Sequence, residues 1–214
     1  MKIQKDTARN ARKKTNYMGA DVTVYEQLDT ALTTEFDGYD KLSLNSKITA
    51  LTTETEIVEA VSEGENATII TDRTPFYATM GGQESDKGKI VTKEGEFTVT
   101  DAVHLMGGKT GHIGIVTKGM LKVGDTAELR VDDKYRNNTC SNHSATHLLQ
   151  KALRTVLGTH VEQNGAYYDN ERLRFDFSHF EAMKPEEISK VEQMVNDEIA
   201  ASLPVVTEVL SIEE

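Results

Sequence analysis

Two histidines stand four residues apart in the segment Asn-His-Ser-Ala-Thr-His-Leu-Leu at 142–149. On an α-helix, side chains at this spacing lie one above the other on the same face. His143 and His147 could therefore present two imidazole nitrogens to one metal ion. No glutamate lies between them, so the HExxH motif of zinc proteases is absent. Cys140, which is the only cysteine and precedes the predicted helix, is a candidate third ligand, although a lone cysteine is more often a small apolar residue.

A long amphipathic helix is predicted to carry this histidine pair. Apolar residues recur at the spacing of one helix face, at Ala145, Leu148, Leu149, Ala152, Leu153, Val156 and Leu157. Gly158 follows them in the usual position for ending a helix. At about 100° per residue, the two histidines lie roughly opposite the centre of the apolar face. We therefore expect them to face solvent or a site rather than the core.

The segment at 74–88, Thr-Pro-Phe-Tyr-Ala-Thr-Met-Gly-Gly-Gln-Glu-Ser-Asp-Lys-Gly, holds a second candidate site. The Gly81-Gly82 pair permits a sharp turn or a close approach of the backbone to a ligand. Gln83 follows with a side chain that both donates and accepts hydrogen bonds. A hairpin turn with a surface glutamine explains the same residues equally well. The segment is neither a P-loop nor a dinucleotide-binding fingerprint.

Composition narrows the class of protein. The 214 residues include 24 basic and 35 acidic side chains, a net charge of −11, which excludes a globally basic nucleic-acid-binding protein. A single cysteine excludes a disulfide scaffold. No run of 18 apolar residues exists, so no transmembrane helix is predicted. The first residues lack the apolar stretch of a signal peptide, so we expect the reducing cytoplasm.

Three regions are predicted to position these groups. Residues 1–20 are basic and are predicted to form a helical linker. Residues 21–131 are predicted to form a small β-barrel or a strongly bent sheet, because short alternating or β-branched segments are separated by glycines. The strand candidates are 22–25, 67–70, 97–100, 113–116 and 127–131.

Residues 132–214 are predicted to alternate between helix and strand. The long helix comes first, and Leu173–Phe177 alternates apolar and polar residues as a half-buried strand does. Pro185 and two glutamates open a second helix. One face of it is predicted to hold Ile188, Val191, Val195 and Ile199. Pro204 ends this helix, and 205–210 is predicted to be a closing strand. The whole chain is thus assigned to the α+β class.

Several motifs in the same order resemble the editing region of alanyl-tRNA synthetase, and the resemblance covers about residues 9–214. They are Thr-Pro-Phe-Tyr at 74–77 with Gly-Gly-Gln at 81–83 and Asp-Lys-Gly at 86–88, the histidine segment at 142–149, Leu-Gly-Thr-His-Val-Glu-Gln at 157–163, and Leu-Arg-Phe-Asp-Phe-Ser-His at 173–179. The resemblance implies a small β-barrel followed by an α/β editing core of the alanyl/threonyl-tRNA synthetase second-additional-domain type. It also implies hydrolysis of the ester of mischarged Ser-tRNA(Ala) or Gly-tRNA(Ala), a task that binding selectivity alone cannot perform.

The resemblance assigns roles to individual residues. His143 and His147 match two of four zinc ligands, and the other two belong to a Cys-x-x-x-His motif that the family carries further along. This sequence ends at Glu214 without it, so we expect a truncated chain. Gln83, with Thr74 near it, matches the editing-site glutamine that would order the attacking water. Backbone N–H groups around Gly81 and Gly82 would meet the transition-state charge. ATP and magnesium would serve only the aminoacylation domain, which this sequence lacks.

The implied partner is the acceptor end of tRNA(Ala). The candidate phosphate contacts are Lys134, Arg136, Lys151 and Arg174, each of which ordinary surface charge also explains. A free-standing trans-editing hydrolase of the same superfamily and a tRNA-binding fragment without activity remain as alternatives. The sequence predicts no oligomeric state.

Overall fold

The computed structural model describes residues 22–204, 206, 208, 210 and 211. It divides the chain into two compact units, Met1–Asn137 and Asn138–Glu214. The predicted linker at 1–20 lies outside the described residues. The division falls inside the long helix rather than at its start, and each unit is described here by itself.

The described part of the first unit is built mainly from strands. Its elements are α1 Val22–Tyr25, β1 Glu35–Phe36, β2 Ser43–Thr52, β3 Ile57–Val58, β4 Ala60–Ser62, β5 Asn66–Thr71, β6 Arg73–Thr74, β7 Gly88–Val91, β8 Gly95–Leu105, β9 Lys109–Lys122 and β10 Thr126–Val131.

Six of these strands form a closed antiparallel barrel in the order β10-β7-β8-β9-β5-β2, and β2 pairs back with β10. At the closing seam, Leu129 of β10 is opposite Leu44 on one side and Ile90 on the other. Closure pairs the barrel strands on both sides, which removes the exposed edges of an open sheet. The expectation of a small barrel in an α+β protein is confirmed.

Inward-facing apolar residues from all six strands fill the barrel. The core includes Ile48, Leu51, Ile69, Ile90, Phe97, Val99, Val116, Ala127 and Leu129. The predicted strands at 67–70, 97–100, 113–116 and 127–131 lie within β5, β8, β9 and β10. The segments 97–100 and 127–131 alternate apolar and polar residues, which is the pattern of a sheet with one buried face, whereas 67–70 and 113–116 are rich in β-branched residues.

Strand β2 has no counterpart among the predicted strands. One of its inward positions is Ser46, which is buried and breaks the apolar alternation. The Ser46 hydroxyl donates to Asp72 Oδ1 at 2.6 Å, so its burial leaves no unsatisfied group. A long-range hydrogen bond of this kind has no local sequence signal.

The segment 22–25 was predicted to be a strand, and this prediction is wrong. Its β-branched residues favour strands, yet the chain makes the helical turn α1. Val24 is buried, and the Tyr25 hydroxyl lies 2.9 Å from Thr68 Oγ1. Leu28, just beyond, packs into a cluster with Ile70. Tertiary packing therefore overrides the local preference.

Gly88 allows strands β7 and β10 to approach each other. A Cβ atom at this position would lie 2.1 Å from the Arg130 carbonyl oxygen and 3.0 Å from the Phe76 ring. Any larger residue would push β7 away from its neighbour. The same glycine ends the segment that carries Gln83.

The second unit continues the long helix, α2 Asp133–Leu157, and adds β11 Gln163–Tyr168, β12 Leu173–Phe177 and α3 Pro185–Ala201. The predicted helix is confirmed but starts earlier, so Cys140 lies inside it rather than before it. Gly158, with φ +120°, follows its last residue, and its N–H donates to the Arg154 carbonyl at 3.1 Å.

Strand β12 confirms the prediction for Leu173–Phe177, and it pairs with the unpredicted β11. Helix α3 also starts as predicted, with Pro185 in its first turn. Its apolar face is only partly covered, because Val191 is buried whereas Ile188 and Ile199 are 43% and 53% exposed.

Of the predicted strand at 205–210, residues 205, 207 and 209 lie outside the described residues, and 206, 208 and 210 show no regular secondary structure. Within the described part of the chain, no helix is long and apolar enough to cross a membrane.

Candidate functional site

Gln83 lies next to the tip of a small irregular hairpin, residues 77–86, which we call the Gln83 hairpin. Its turn is Met80-Gly-Gly-Gln83, in which the Gln83 N–H donates to Met80 O at 3.1 Å and the Met80 N–H donates to Gln83 O at 3.3 Å. Gly81 and Gly82 have φ values of +62° and +87°. Two consecutive positive φ angles define the two-residue turn that fits a twisted hairpin, which explains the glycine pair.

The Gln83 side chain is only 5% exposed. The two glycines therefore form a hairpin turn, as the alternative interpretation predicted. Gln83, however, is buried and does not lie on the surface. A buried carboxamide is stable only when its polar atoms have partners. A carboxamide offers one acceptor oxygen and one donor nitrogen.

Thr74, the second predicted catalytic residue, is completely buried. Its hydroxyl oxygen accepts the Phe76 N–H at 3.0 Å and lies 2.7 Å from His112 Nε2. The other ring nitrogen of His112 lies 2.8 Å from the Ile69 carbonyl oxygen. The Thr74 hydroxyl therefore points into the protein, where it stabilises the segment that leads into the Gln83 hairpin.

His112 is neutral in this environment. Burial lowers its pKa from the ordinary 6.5 to about 4, against the smaller opposing effect of the Ile69 carbonyl. The carbonyl of Ile69 can only accept, so Nδ1 carries the proton. Nε2 is then the acceptor of the Thr74 O–H.

Arg136 was predicted to contact phosphate, and the structure corrects this prediction. Its side chain is buried and forms a bidentate ion pair with buried Asp86. Arg136 Nε donates to Asp86 Oδ1 at 2.8 Å, and Arg136 Nη2 donates to Asp86 Oδ2. Nη1 donates to the Gly38 carbonyl at 2.7 Å, and Nη2 donates to the Pro75 carbonyl at 2.8 Å. The guanidinium is thus committed to internal acceptors.

Asp86 connects that ion pair to the Gln83 hairpin. Its Oδ2 accepts the Tyr77 N–H at 2.6 Å, and its own N–H donates to Tyr77 O at 3.1 Å. The base of the hairpin is therefore closed by one carboxylate. Sequence reasoning missed the Arg136–Asp86 pair because the two residues are 50 positions apart.

The remaining predicted cations lie on the surface. Lys134 and Lys151 are exposed residues of α2. Arg174 is also exposed, and its Nε lies 3.2 Å from Asp176 Oδ2. An exposed pair of this kind contributes little to stability, so these three side chains stay accessible.

His143 and His147 lie on one face of α2, with ring centroids 5.5 Å apart and planes inclined by 18°. The His143 ring also stacks on Tyr168 of β11, at 4.2 Å. Burial and the neighbouring His147 lower the pKa of His143, which favours the neutral form that binds metals. His147 is exposed, and His143 is half-buried. The expectation that neither is a core residue agrees with this placement.

The pair alone does not make a complete zinc centre. A structural zinc site takes four ligands, and a catalytic one takes three and a water. Among the described residues, no three side chains of the His, Cys, Asp and Glu types gather to hold a metal ion. Cys140 is exposed on the same helix. The described residues thus supply two of the ligands that a zinc ion needs.

A second histidine pair was not singled out from the sequence. His160 Nε2 lies 2.9 Å from His179 Nδ1, and Phe180 stacks on His160 at 4.5 Å. The two ring nitrogens point at each other, so they share a hydrogen bond and do not converge on a metal. The two residues are 19 positions apart, and their spacing carries no signal.

Two comparisons place the chain among known proteins. Residues 1–135 match the family described as tRNA synthetases class II (A), a match that spans the barrel strands and ends at the start of α2. The chain is 58% identical, over all 214 residues, to alanine–tRNA ligase 1 of Lachnoclostridium phytofermentans. It spans 24% of the length of that relative.

Replacing Arg136 by methionine should strongly destabilise the barrel. The change keeps most of the apolar stem and leaves the Asp86 carboxylate buried without its counter-ion. We expect the free energy of unfolding, measured by denaturant titration, to fall by about 3–5 kcal/mol. Lys134→Met on the same helix is the control, with an expected change within about 0.5 kcal/mol. Equal stability of the two variants would mean that the ion pair does not anchor this region.

His112 should make stability depend on pH. Its folded pKa lies below the unfolded value, so its contribution is complete above pH 6.5 and is lost as the pH falls towards 4. Between pH 7 and pH 5, the wild-type chain should lose about 2 kcal/mol more unfolding free energy than His112→Gln, which cannot titrate. Parallel pH profiles for the two proteins would contradict a buried neutral histidine.

Proposed function

Since the chain belongs to the class II (A) family of tRNA synthetases, we propose that it is the editing region of an alanyl-tRNA synthetase. Its reaction is hydrolysis of the ester that joins serine or glycine to tRNA(Ala), and it takes place in the cytoplasm. A synthetase pocket for alanine cannot exclude the smaller glycine or reject one extra hydroxyl strongly, so a separate hydrolytic site is needed.

The observation that carries this proposal is the fixed, buried Gln83 beside an accessible glycine turn. The carboxamide oxygen accepts a hydrogen bond from the attacking water and so orients it, and the amide nitrogen donates a hydrogen bond to the ester. Apart from Gly81 and its two chain neighbours, no residue has a heavy atom within 4 Å of the place that a Cβ of Gly81 would occupy, so a substrate can approach the backbone there. N–H groups of the Gly81-Gly82 turn then stabilise the oxyanion that forms when water adds to the ester carbonyl.

Thr74 supports this chemistry from inside the protein rather than at the ester. Its hydroxyl is already shared between Phe76 N–H and His112. We therefore assign it to holding the base of the loop, and we keep Gln83, Gly81 and Gly82 as the groups that meet substrate.

Zinc is the proposed cofactor of the His143–His147 pair. In proteins, zinc held by histidines polarises oxygen atoms or positions a ligand. The two described histidines supply half of a four-ligand set, and the rest must come from elsewhere. ATP and magnesium belong to aminoacylation, which we do not assign to these residues.

The proposed partner is the single-stranded acceptor end of tRNA(Ala), whose phosphates meet exposed cations. Lys134, Lys151 and Arg174 are accessible for this role. With a net charge of −11, the chain as a whole repels phosphate groups, so its affinity for tRNA should be weak and should fall as salt rises.

A second candidate function is tRNA binding without hydrolysis. The incomplete set of metal ligands among the described residues favours it. The two candidates differ in one measurement, which is release of serine from Ser-tRNA(Ala) by the purified chain.

Gln83→Ala should impair this hydrolysis. Removing one group that acts in the transition state costs about 100-fold in kcat, and the unfolding free energy should change far less than in Arg136→Met. Gln193→Ala, an exposed glutamine on α3, is the matched control and should hydrolyse at the wild-type rate.

Deacylation of Ser-tRNA(Ala) by both variants and the wild-type chain measures these rates. Full activity of Gln83→Ala would overturn the proposed role of Gln83. An inactive wild-type chain that still binds tRNA would support the second candidate instead.

His147→Ala should weaken zinc binding. The exposed imidazole on α2 is a proposed direct ligand, so its loss should raise the zinc dissociation constant by at least about 100-fold. Competition with a chromophoric chelator measures this constant without any activity assay. His104→Ala, an exposed histidine of β8, is the control. Equal zinc affinity of the two variants would show that His147 is not a ligand.

A further inference from the structure

His112 is a fully buried histidine in the wall of the barrel that the proposed chemistry does not use. It lies on β9 and makes three specific contacts. Its Nδ1 donates to the Ile69 carbonyl at 2.8 Å, its Nε2 accepts the Thr74 O–H at 2.7 Å, and its ring meets the Phe76 ring edge-on, with centroids 5.3 Å apart. Ile69 and Thr74 lie 43 and 38 positions away along the chain.

Burial of a histidine here would be energetically unfavourable if its ring did nothing more than fill space. Burying an imidazole removes its hydration and requires a partner for each ring nitrogen. An apolar side chain would fill the same volume without that requirement. The two hydrogen bonds of His112 therefore fix the positions of the backbone segments that contain Ile69 and Thr74, because each bond requires a particular distance and direction.

The segment so held leads directly into the Gln83 hairpin. The Thr74 hydroxyl, which donates to His112, accepts the N–H of Phe76 at 3.0 Å. Phe76 is fully buried, and Tyr77, the next residue, is the first of the hairpin. His112 thus fixes both the hydroxyl and the ring that set where the hairpin begins.

The far side of the hairpin is anchored by Asp86, which Arg136 holds, and by the Ser85 hydroxyl, which donates to Asp101 Oδ1 at 2.6 Å. The Asp86–Arg136 pair also holds the entry side, through the Tyr77 N–H and the Pro75 carbonyl. The entry side therefore has two supports, and only the His112–Thr74 bond depends on His112. Gln83 lies between the two sides of the hairpin, three residues before Asp86.

We propose that His112 is a positioning residue for Gln83, acting through the Thr74 hydroxyl and the Phe76 ring. The inference rests on the proposed role of Gln83 in ester hydrolysis. Loss of the His112–Thr74 hydrogen bond removes one of the two supports of the entry side, so the Met80-Gly-Gly-Gln83 turn moves more freely. The substrate is still bound, but Gln83 is less often placed to order the water.

Two matched pairs of variants separate this hydrogen bond from simple packing. Thr74→Val removes the hydroxyl at nearly constant shape, and Thr74→Ser keeps it. His112→Gln can place an amide oxygen where Nε2 lies and so still accept from Thr74. His112→Asn is shorter, reaches only as far as Nδ1, and loses the contact with Thr74.

Hydrogen exchange and kinetics on the 214-residue chain together test the proposal. We expect Thr74→Val and His112→Asn to speed exchange of the Met80 and Gln83 amides by about tenfold or more, relative to amides of β8 and β9. Thr74→Ser and His112→Gln should stay within about threefold of the wild type. With Ser-tRNA(Ala), the first two variants should lower kcat in the same proportion, with KM unchanged.

The outcomes are distinct. Uniform loss of protection across barrel and hairpin, or failure of Thr74→Val and His112→Asn to fold while the conservative partners fold, would show a general core role and overturn the proposal. Unchanged exchange at Met80 and Gln83 would overturn it as well. If the wild-type chain hydrolyses no ester, the proposed function fails, and the exchange comparison still decides whether His112 positions the hairpin.

Discussion

Closure of the barrel is the constraint on which the rest of the first unit depends. Strand β10 pairs with β7 on one side and with β2 on the other, so six strands of different length must keep a common register. A slip of one residue would turn the buried faces outward. Because the strands are fixed in this way, the segment between β6 and β7 leaves the barrel and returns to it at two defined points, and the Gln83 hairpin lies between them.

Buried polar groups secure the hairpin where hydrophobic packing could not. An apolar loop of this size would gain burial but no unique conformation, whereas hydrogen bonds and ion pairs are directional. The Arg136–Asp86 pair joins helix α2 to the loop before β7, and the His112–Thr74 bond joins β9 to β6. Their burial costs desolvation energy, which the multiple partners of each group offset. The result is a rigid support for one carboxamide at the tip.

The second unit holds its polar side chains in a different way. Its long helix places two imidazoles on one face, and Tyr168 restricts the ring of one of them. A rigid helix is a more exact platform for metal ligands than a loop. The glutamine and the histidine pair thus illustrate two ways of fixing a polar group, by buried hydrogen bonds in the first unit and by helical spacing with aromatic stacking in the second.

The sequence by itself determined the features that follow from local periodicity. The strands of the barrel with alternating residues, the amphipathic helix with its histidine pair, the glycine turn and the start of α3 at Pro185 were all predictable, because each depends on residues within one or two turns of each other. Only the tertiary structure decided that Ser46 lies in a strand, that residues 22–25 form a helical turn, and that Arg136 points inward to Asp86. Each of these depends on partners at least 25 positions away, such as Asp72, Thr68 and Asp86. The free energy of such contacts exists only after the barrel has closed, so no local pattern of residues records it.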